Sequence, residues 1–271
     1  MLIQIRDSSQ SIVHKGPRKL GDIGFTLVHP FYNEKTRFDK HYEYWLKWSS
    51  RLKEKIKIVL VDDGSPEPVH TWITPSKNKR LKYFNFTIYR ILEDLKWNTP
   101  GALNLGFVTA PTEFVLCMDS DCAFSPEQLE KFLEISPRED FVYKFPRKRI
   151  GNENENLKND RYLPCTMLLH KNIFFAVNGF DEDFTGANSG GWAFFDNDFD
   201  YKIMQIEYNW GIWHDVIATE WMPSTCGPRL NRTRTEEIIN KKLMYQKWNK
   251  EIPINRKILN FPWERVYHNV L

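Results

Sequence analysis

No apolar run in this chain approaches the ~20 residues that a membrane-spanning helix needs, and no hydrophobic segment of the kind a secretory signal requires follows Met1. A soluble, cytoplasmic protein is expected. Cysteine is scarce: there are four, Cys117, Cys122, Cys165 and Cys226, and none stands in C-x-x-C spacing. That spacing argues against a zinc site and a disulfide framework, and predicts reduced, structural thiols in a reducing compartment. An excess of one charge is lacking too. The 38 Lys and Arg face 35 Asp and Glu, a net charge of +3, which is too little to make nucleic acid the main partner. Internal repeats, low-complexity tracts and linkers are absent from the pattern. One domain over 1–271 is expected, with 1–22 as an N-terminal arm and about 235–271 as a C-terminal extension.

Tryptophan is abundant, with ten in the chain and a late group of Trp192, Trp210, Trp213, Trp221, Trp248 and Trp263. Most such rings pack cores. An exposed one offers an apolar face matching the C–H face of a sugar ring, and Trp192 is the candidate for that role.

Apolar runs alternate with amphipathic ones. Strands are expected at 23–28, 57–61, 86–90, 114–118, 141–145 and 167–170, with a turn and strand over 209–218. Helical spacing marks 36–54, with Phe38, Tyr42, Trp45, Leu46 and Leu52 on one face, as well as 99–109, 125–133 and 199–206. Ser125 reads as an N-cap, and Thr99-Pro100 as a cap followed by an N1 proline. Residues 151–159 are polar and read as a mobile loop. Strands alternating with helices specify an α/β protein with a mostly parallel, mixed sheet flanked by helices.

The chemistry gathers where apolar strands end. Phe114-Val115-Leu116-Cys117-Met118 runs into Asp119-Ser120-Asp121. Residues i and i+2 of an extended chain point the same way, so both carboxylates can converge at a strand tip. They repel unless a cation stands between them, and a hard divalent ion, Mn²⁺ or Mg²⁺, bridging to phosphates suits them. A solvated Asp-Ser-Asp turn is the alternative. The second strand ends in Asp62-Asp63-Gly64-Ser65, the first in Pro30 to Glu34, and a further acidic cluster, Asp196-Asn197-Asp198, follows Gly190-Gly191-Trp192. Asp62 to Ser65 also suits a plain turn, and Asp196 to Asp198 a helix N-terminus.

Taken in order, these motifs resemble a GT-A fold glycosyltransferase of the family 2 type. The stretch NGFDEDFTGANSGGWAFFDNDFDYKI is similar to the acceptor-side motif of galactosyl- and N-acetylgalactosaminyltransferases, and the resemblance covers about 23–222. It implies a Rossmann-like GT-A fold, a nucleotide-sugar donor and a glycan or glycoconjugate acceptor. Val28 to Glu34 matches the first-strand pattern P-x-x-N-E bordering the nucleotide, which assigns Pro30, Tyr32, Asn33 and Glu34 to it. Asp62-Asp63 matches the second-strand acids that read the uracil of a UDP donor. Asn98, Gly101 and Asn104 match, in compressed spacing, a stretch beside ribose, pyrophosphate and sugar, with Leu103 where many relatives carry Arg. Asp119-Ser120-Asp121 matches D-x-D, with Asp121 on the metal and Asp119 on ribose or metal. Asp196 falls at the catalytic base, with Asp198 beside it, and Phe195 replaces the acid common before it. The His metal ligand of relatives falls on Glu220, with His214 as a nearby alternative.

One base opposite one leaving group implies inversion at the anomeric carbon. Three other readings compete. A glycoside hydrolase would use Asp196 and Asp121 without metal. A nucleotidyltransferase would need a phosphate loop, of which Lys15 to Lys19 is a poor version. A non-catalytic sugar-binding module is the third. Arg147-Lys148-Arg149 reads as a solvated loop, with a phosphate clamp as the alternative, and Arg229 to Arg234 as either a solvated run or a basic lid.

Overall fold

The computed structural model describes residues 15–150, 162–206, 208–221, 233–251, 253 and 257–269. The expected mobile loop at 151–159, Cys226 and residues 229–232 lie outside them.

In chain order the elements are α1 (Leu20–Ile23), β1 (Phe25–Phe31), α2 (Lys35–Leu46), α3 (Ser50–Lys55), β2 (Ile56–Asp62), a 3-10 turn (Val69–Trp72), α4 (Pro75–Leu81), β3 (Asn85–Ile91), α5 (Thr99–Thr109), β4 (Phe114–Cys117), β5 (Cys122–Ala123) and α6 (Pro126–Glu134). There follow β6 (Phe141–Ile150), β7 (Tyr162–His170), α7 (Lys171–Ala176), a 3-10 turn (Glu182–Phe184), α8 (Gly186–Ser189), α9 (Phe195–Gln205), β8 (Asn209–Ile212), β9 (Ala218–Trp221), α10 (Arg234–Trp248) and β10 (Trp263–Asn269). Several differ from the sequence pattern. The expected helix over 36–54 breaks at 47–49, because Ser49 caps a new helix by accepting from the Leu52 N–H. The N-cap of α5 is Asn98, so Pro100 is its second residue. α9 starts four residues early, and Arg147-Lys148 lies in β6, paired with Ala218 and Thr219 of β9, rather than in a loop.

The sheet runs β10-β3-β2-β1-β4-β7-β6-β9-β5, with β8 also paired to β6. β3, β2, β1 and β4 are parallel; β7 and β10 pair antiparallel to β4 and β3. The chain steps outward from β1 to β2 and β3, then returns through α5 to place β4 on the other side of β1. The order therefore reverses between β1 and β4, and the crevice beyond the carboxyl ends there is where α/β sheets bind ligands.

Both faces are covered. One core packs Phe38, Trp45, Trp72, Phe86 and Phe132 under α2, α3 and α6; the other packs Leu103, Phe107, Phe174, Phe180 and Phe199 under α5, α7 and α9. α5 is buried from Pro100 through Phe107, so it carries no polar face, as befits a helix enclosed on all sides. Trp45, Trp48, Trp72 and Trp213 are core residues. Cys117, Cys122 and Cys165 are buried, and none of the three is in a disulfide. Among the described residues, no helix is long and apolar enough to cross a membrane.

Candidate active site

A cleft of about 440 Å³ opens at that switch point. It is lined by Pro30 and Phe31 at the end of β1, Tyr32 and Glu34 after it, Arg37 of α2, Asp63 after β2, Asp94 to Trp97 before α5 and Thr99 at its start, Asp119 and Ser120 after β4, Cys165 of β7, Gly191 to Ala193, Phe195, Asp196 and Glu236. Of the residues expected from the sequence, Pro30, Tyr32, Glu34, Asp63, Asp119, Ser120, Trp192 and Asp196 share this one space. Asn33, Asp62, Asn98, Gly101, Asn104, Asp121 and Asp198 stand outside its lining.

At the β2 tip the two acids divide their work. Asp62 is fully buried and accepts the Ser65 and Val69 N–H groups at 2.9 and 3.0 Å and the Arg90 guanidinium at 2.6 Å, so it shapes the turn. Asp63 faces the cleft and accepts from Asn98 Nδ2 at 3.0 Å. Burial holds its carboxyl well above the usual carboxylate range, opposed by that amide. Gly64 has φ of 72°, and a Cβ there would stand 2.3 Å from the Glu93 carbonyl oxygen. Gly64→Ala is therefore expected to destabilise the fold by more than about 1 kcal/mol, seen as a lower urea midpoint. Tyr32 donates to Asp94 at 3.3 Å; burial and that carboxylate push its phenol up to about 12.

The Asp119-Ser120-Asp121 loop is fastened at its middle residue. Ser120 Oγ donates to Glu34 at 2.6 Å and accepts from Arg37 at 3.1 Å, and its carbonyl meets His41 Nε2 at 2.8 Å. Arg37 in turn donates to Glu34 at 2.6 Å and stands 3.9 Å from Asp121 Oδ2. Asp119 thus lines the cleft while Asp121, 3 % exposed, faces Arg37 behind it. β5 carries Cys122 opposite Glu220 of β9, so the backbone of Glu220 runs beside the end of this loop; its side chain lies outside the described residues. His214 is exposed in the turn between β8 and β9. Among the described residues, no three carboxylate, thiol or imidazole side chains form a ready metal cage.

On the far wall, the chain around Trp192 is held open by backbone that L-residues rarely adopt: Ala193 and Phe194 have φ of 67° and 66°. Asn240 of α10 fastens this turn by donating to the Ala193 carbonyl at 3.0 Å. Trp192 meets Trp97 edge to face at 5.9 Å and donates from its indole to the Thr233 carbonyl. Asp196 lies in the first turn of α9, where the helix dipole favours a carboxylate. Burial nonetheless raises its pKa, with Asp200 adding to the rise and Lys144 opposing it.

The remaining expected residues support the site from behind. Asn104, fully buried, donates to the Phe180 carbonyl and to Glu182, each at 2.9 Å, and accepts from the Phe180 N–H. Gly101 lets Asn98 and Phe261 approach α5, where a Cβ would stand 2.3 Å from Asn98 Oδ1. Asp198 is buried near Lys202, 3.7 Å away, its carboxyl raised to about 6 by burial. The Asn33 N–H donates to Ser65. Arg37, Asp94, Lys96, Trp97, Cys165 and Glu236 line the cleft without having stood out in the sequence. Only the i, i+3 pairing of Glu34 with Arg37 signalled any of them.

Six carboxylates (Glu34, Asp63, Asp94, Asp119, Asp196 and Glu236) line a space with two side-chain cations, Arg37 and Lys96. Each cation is already bonded to a carboxylate, Lys96 to Glu236 at 2.7 Å. Such a cleft repels a diphosphate unless further positive charge enters with it.

Compared with known families, residues 26–213 match Glycosyl transferase family 2. The chain belongs to this family. Its match spans β1 to Trp213, past β8, and so contains every cleft residue except Glu236. No curated protein matches the chain by sequence. Among solved structures, the family member resembles the mannosyltransferase PcManGT from Pyrobaculum calidifontis in complex with GDP-Man and Mn²⁺, with 16% identity over 86% of this chain and 66% of that one, at a TM-score of 0.61. It resembles S. aureus TarS 1-349 with 17% identity over 73% of this chain and 60% of that one, TM-score 0.56. It also resembles GalNAc-T7 with UDP, GalNAc and Mn²⁺, at 13% identity over 88% and 52%, TM-score 0.57. The chain thus spans less than two thirds of TarS 1-349 and about half of GalNAc-T7. At these identities the likeness shows the fold, a GT-A α/β fold.

Proposed function

We propose that this glycosyltransferase moves a sugar from a nucleotide-sugar, a UDP-sugar, to a hydroxyl of a glycan or glycoconjugate, as a single domain, with metal dependence and inversion. One observation carries the proposal: Asp196 lines the same cleft as Asp63 and Asp119, so a base shares one space with the groups expected at the nucleotide and its diphosphate. The neighbours support the donor class: TarS 1-349 is seen in complex with UDP-GlcNAc, and PcManGT with GDP-Man and Mn²⁺.

The donor set fits a hard divalent ion. The cleft is rich in carboxylates, its cations are already paired, and Asp119 and Asp121 bracket a loop that runs beside Glu220. Asp119, Asp121 and Glu220 would hold Mn²⁺ or Mg²⁺, which would neutralise the leaving diphosphate as a Lewis acid. The chain's own residues do the rest. Asp63, held by Asn98, takes the base of the nucleotide. Trp192 and Trp97 offer ring faces to sugar and help exclude water. Asp196 accepts the proton of the acceptor hydroxyl as its oxygen bonds to the anomeric carbon; the bond from that carbon to the phosphate oxygen breaks, and the diphosphate leaves with the electron pair.

The test is a thermal-shift panel of UDP-, GDP- and TDP-sugars with and without Mn²⁺. A donor at a hundredfold its Kd should stabilise the fold by about 2.7 kcal/mol. The expected result is a shift with UDP-sugars that needs Mn²⁺, vanishes with EDTA and is lost in Asp119→Ala. No shift with any nucleotide sugar, with or without metal, would overturn the proposal in favour of a non-donor-binding module.

A further inference from the structure

Below the cleft lies a cation with no part in the chemistry described so far. Lys144, in the middle of β6, is fully buried. Its backbone is fixed on both sides, opposite Met167 of β7 and Ile212 of β8, and its carbonyl accepts the Trp213 N–H at 2.8 Å. The ammonium donates to Asp200 Oδ1 and to the Pro164 carbonyl, each at 2.8 Å, and sits 5.5 Å above the Tyr162 ring. A buried ion pair is a poor device for holding a helix to a sheet, since an apolar pair of similar volume does so as well or better. What sets this pair apart is its neighbour. Asp200 follows Asp196 by one helical turn, so the two stand one above the other on the same face of α9.

We propose that Lys144 and Asp200 are the positioning pair of the base: they fix the first turn of α9 against β6 so that Asp196 faces the cleft, and they set the charge that Asp196 meets from below. The proposal rests on Asp196 being the base. The titratable groups around Asp196 are Asp200 on its own helix, Lys144 from β6, and Tyr162 and Cys165 from β7, with Asp119 beyond β4 and Glu236 of α10 lining the same cleft. Of these, Lys144 is the cation, and it offsets a crowd of carboxylates. It favours the charged, proton-accepting form of Asp196, while Asp200 disfavours it. The two members of the pair therefore pull the base in opposite directions, so removing one or the other should move its titration with opposite signs.

The experiment measures kcat against pH, the donor KM and the melting temperature for Lys144→Gln, Asp200→Asn and Asp196→Asn. Lys144→Gln is expected to move the acid limb of the kcat profile up by about one pH unit, and Asp200→Asn to move it down by a similar amount, both at unchanged donor KM. Asp200→Asn keeps a hydrogen-bond acceptor for Lys144 and carries the test by itself if Lys144→Gln does not fold. A limb that stays in place in Asp200→Asn, or moves upward, overturns the proposal. The Asp196→Asn arm separates the two failures. If that variant turns over like the wild type, the base assignment has failed; if it is inactive while the limb of Asp200→Asn stays in place, the base stands and the positioning pair falls.

Discussion

Asp196→Asn is expected to lower the rate of sugar transfer by ~10²–10⁴-fold, the usual contribution of a positioned general base, while leaving donor binding unchanged. The amide keeps the size and hydrogen bonding of the side chain but cannot take a proton, so the loss falls on kcat. The pH profile adds a second sign. Burial raises the Asp196 carboxyl above its ordinary value, with Asp200 adding to the rise. A base must be deprotonated to act. In the wild type, kcat should therefore fall as pH drops through this raised pKa, at a higher pH than an unperturbed aspartate would give. In the Asn variant that limb should disappear from the residual rate. Initial rates across pH with saturating donor, together with the donor Kd by calorimetry, check both parts. Donor binding lost in step with kcat would instead place Asp196 on the donor. Product stereochemistry by NMR tests the same assignment, since a single base opposite the leaving group requires inversion.

How far such a site can be read from sequence depends on whether its residues announce themselves locally. The β1, β2 and β4 tips were legible because a buried parallel strand is a continuous apolar run, and the residues just past it face the ligand crevice. Asp63, Asp119 and Asp196 followed from that rule and from the family motifs. The division of labour within each motif was not legible. Asp62 and Asp63 are neighbours of one residue type, yet one ties a turn together and the other faces the cleft, depending on where Arg90 and Asn98 come to lie. Asn104 matches a donor-side position, but α5 is enclosed, so its amide serves Phe180 and Glu182. Lys144 was invisible for the opposite reason. A lysine in a strand reads as a solvent-facing residue, and its ammonium is met by Asp200 of α9 and by Pro164 and Tyr162 of β7, which arrive from far along the chain. The helix over 36–54 broke because Ser49 and Ser50 carry a start signal that apolar periodicity overrides when spacing alone is counted.

Arg37→Met carries the other large expected effect, and it falls on stability and metal affinity together. The guanidinium and its partner Glu34 are 5 % and 9 % exposed in their side chains. Removing the cation leaves Glu34 buried with Ser120 as its remaining bonded partner among those described, and breaking one side of a buried pair costs about 3–5 kcal/mol. The same change frees the Asp119-Ser120-Asp121 loop, because Arg37 holds Ser120 directly, braces it again through Glu34, and stands 3.9 Å from Asp121. Two consequences can then be told apart. Unfolding in urea should show a lower midpoint with an unchanged slope. At a temperature where the variant remains folded, the Mn²⁺ concentration needed for the donor-induced thermal shift should change: upward if Arg37 preorganises the loop, downward if its charge chiefly competes with the ion for Asp121. The geometry favours the first outcome, since the bonds to Glu34 and Ser120 are 2.6–3.1 Å while the approach to Asp121 is 3.9 Å. Glu34→Gln combined with Arg37→Met removes both members of the 2.6 Å pair and should recover part of the lost stability, because Glu34 is then no longer a buried charge without its cation, although buried Asp121 still loses the guanidinium 3.9 Å away. It should not recover Mn²⁺ affinity, since the fastening of Ser120 is still gone.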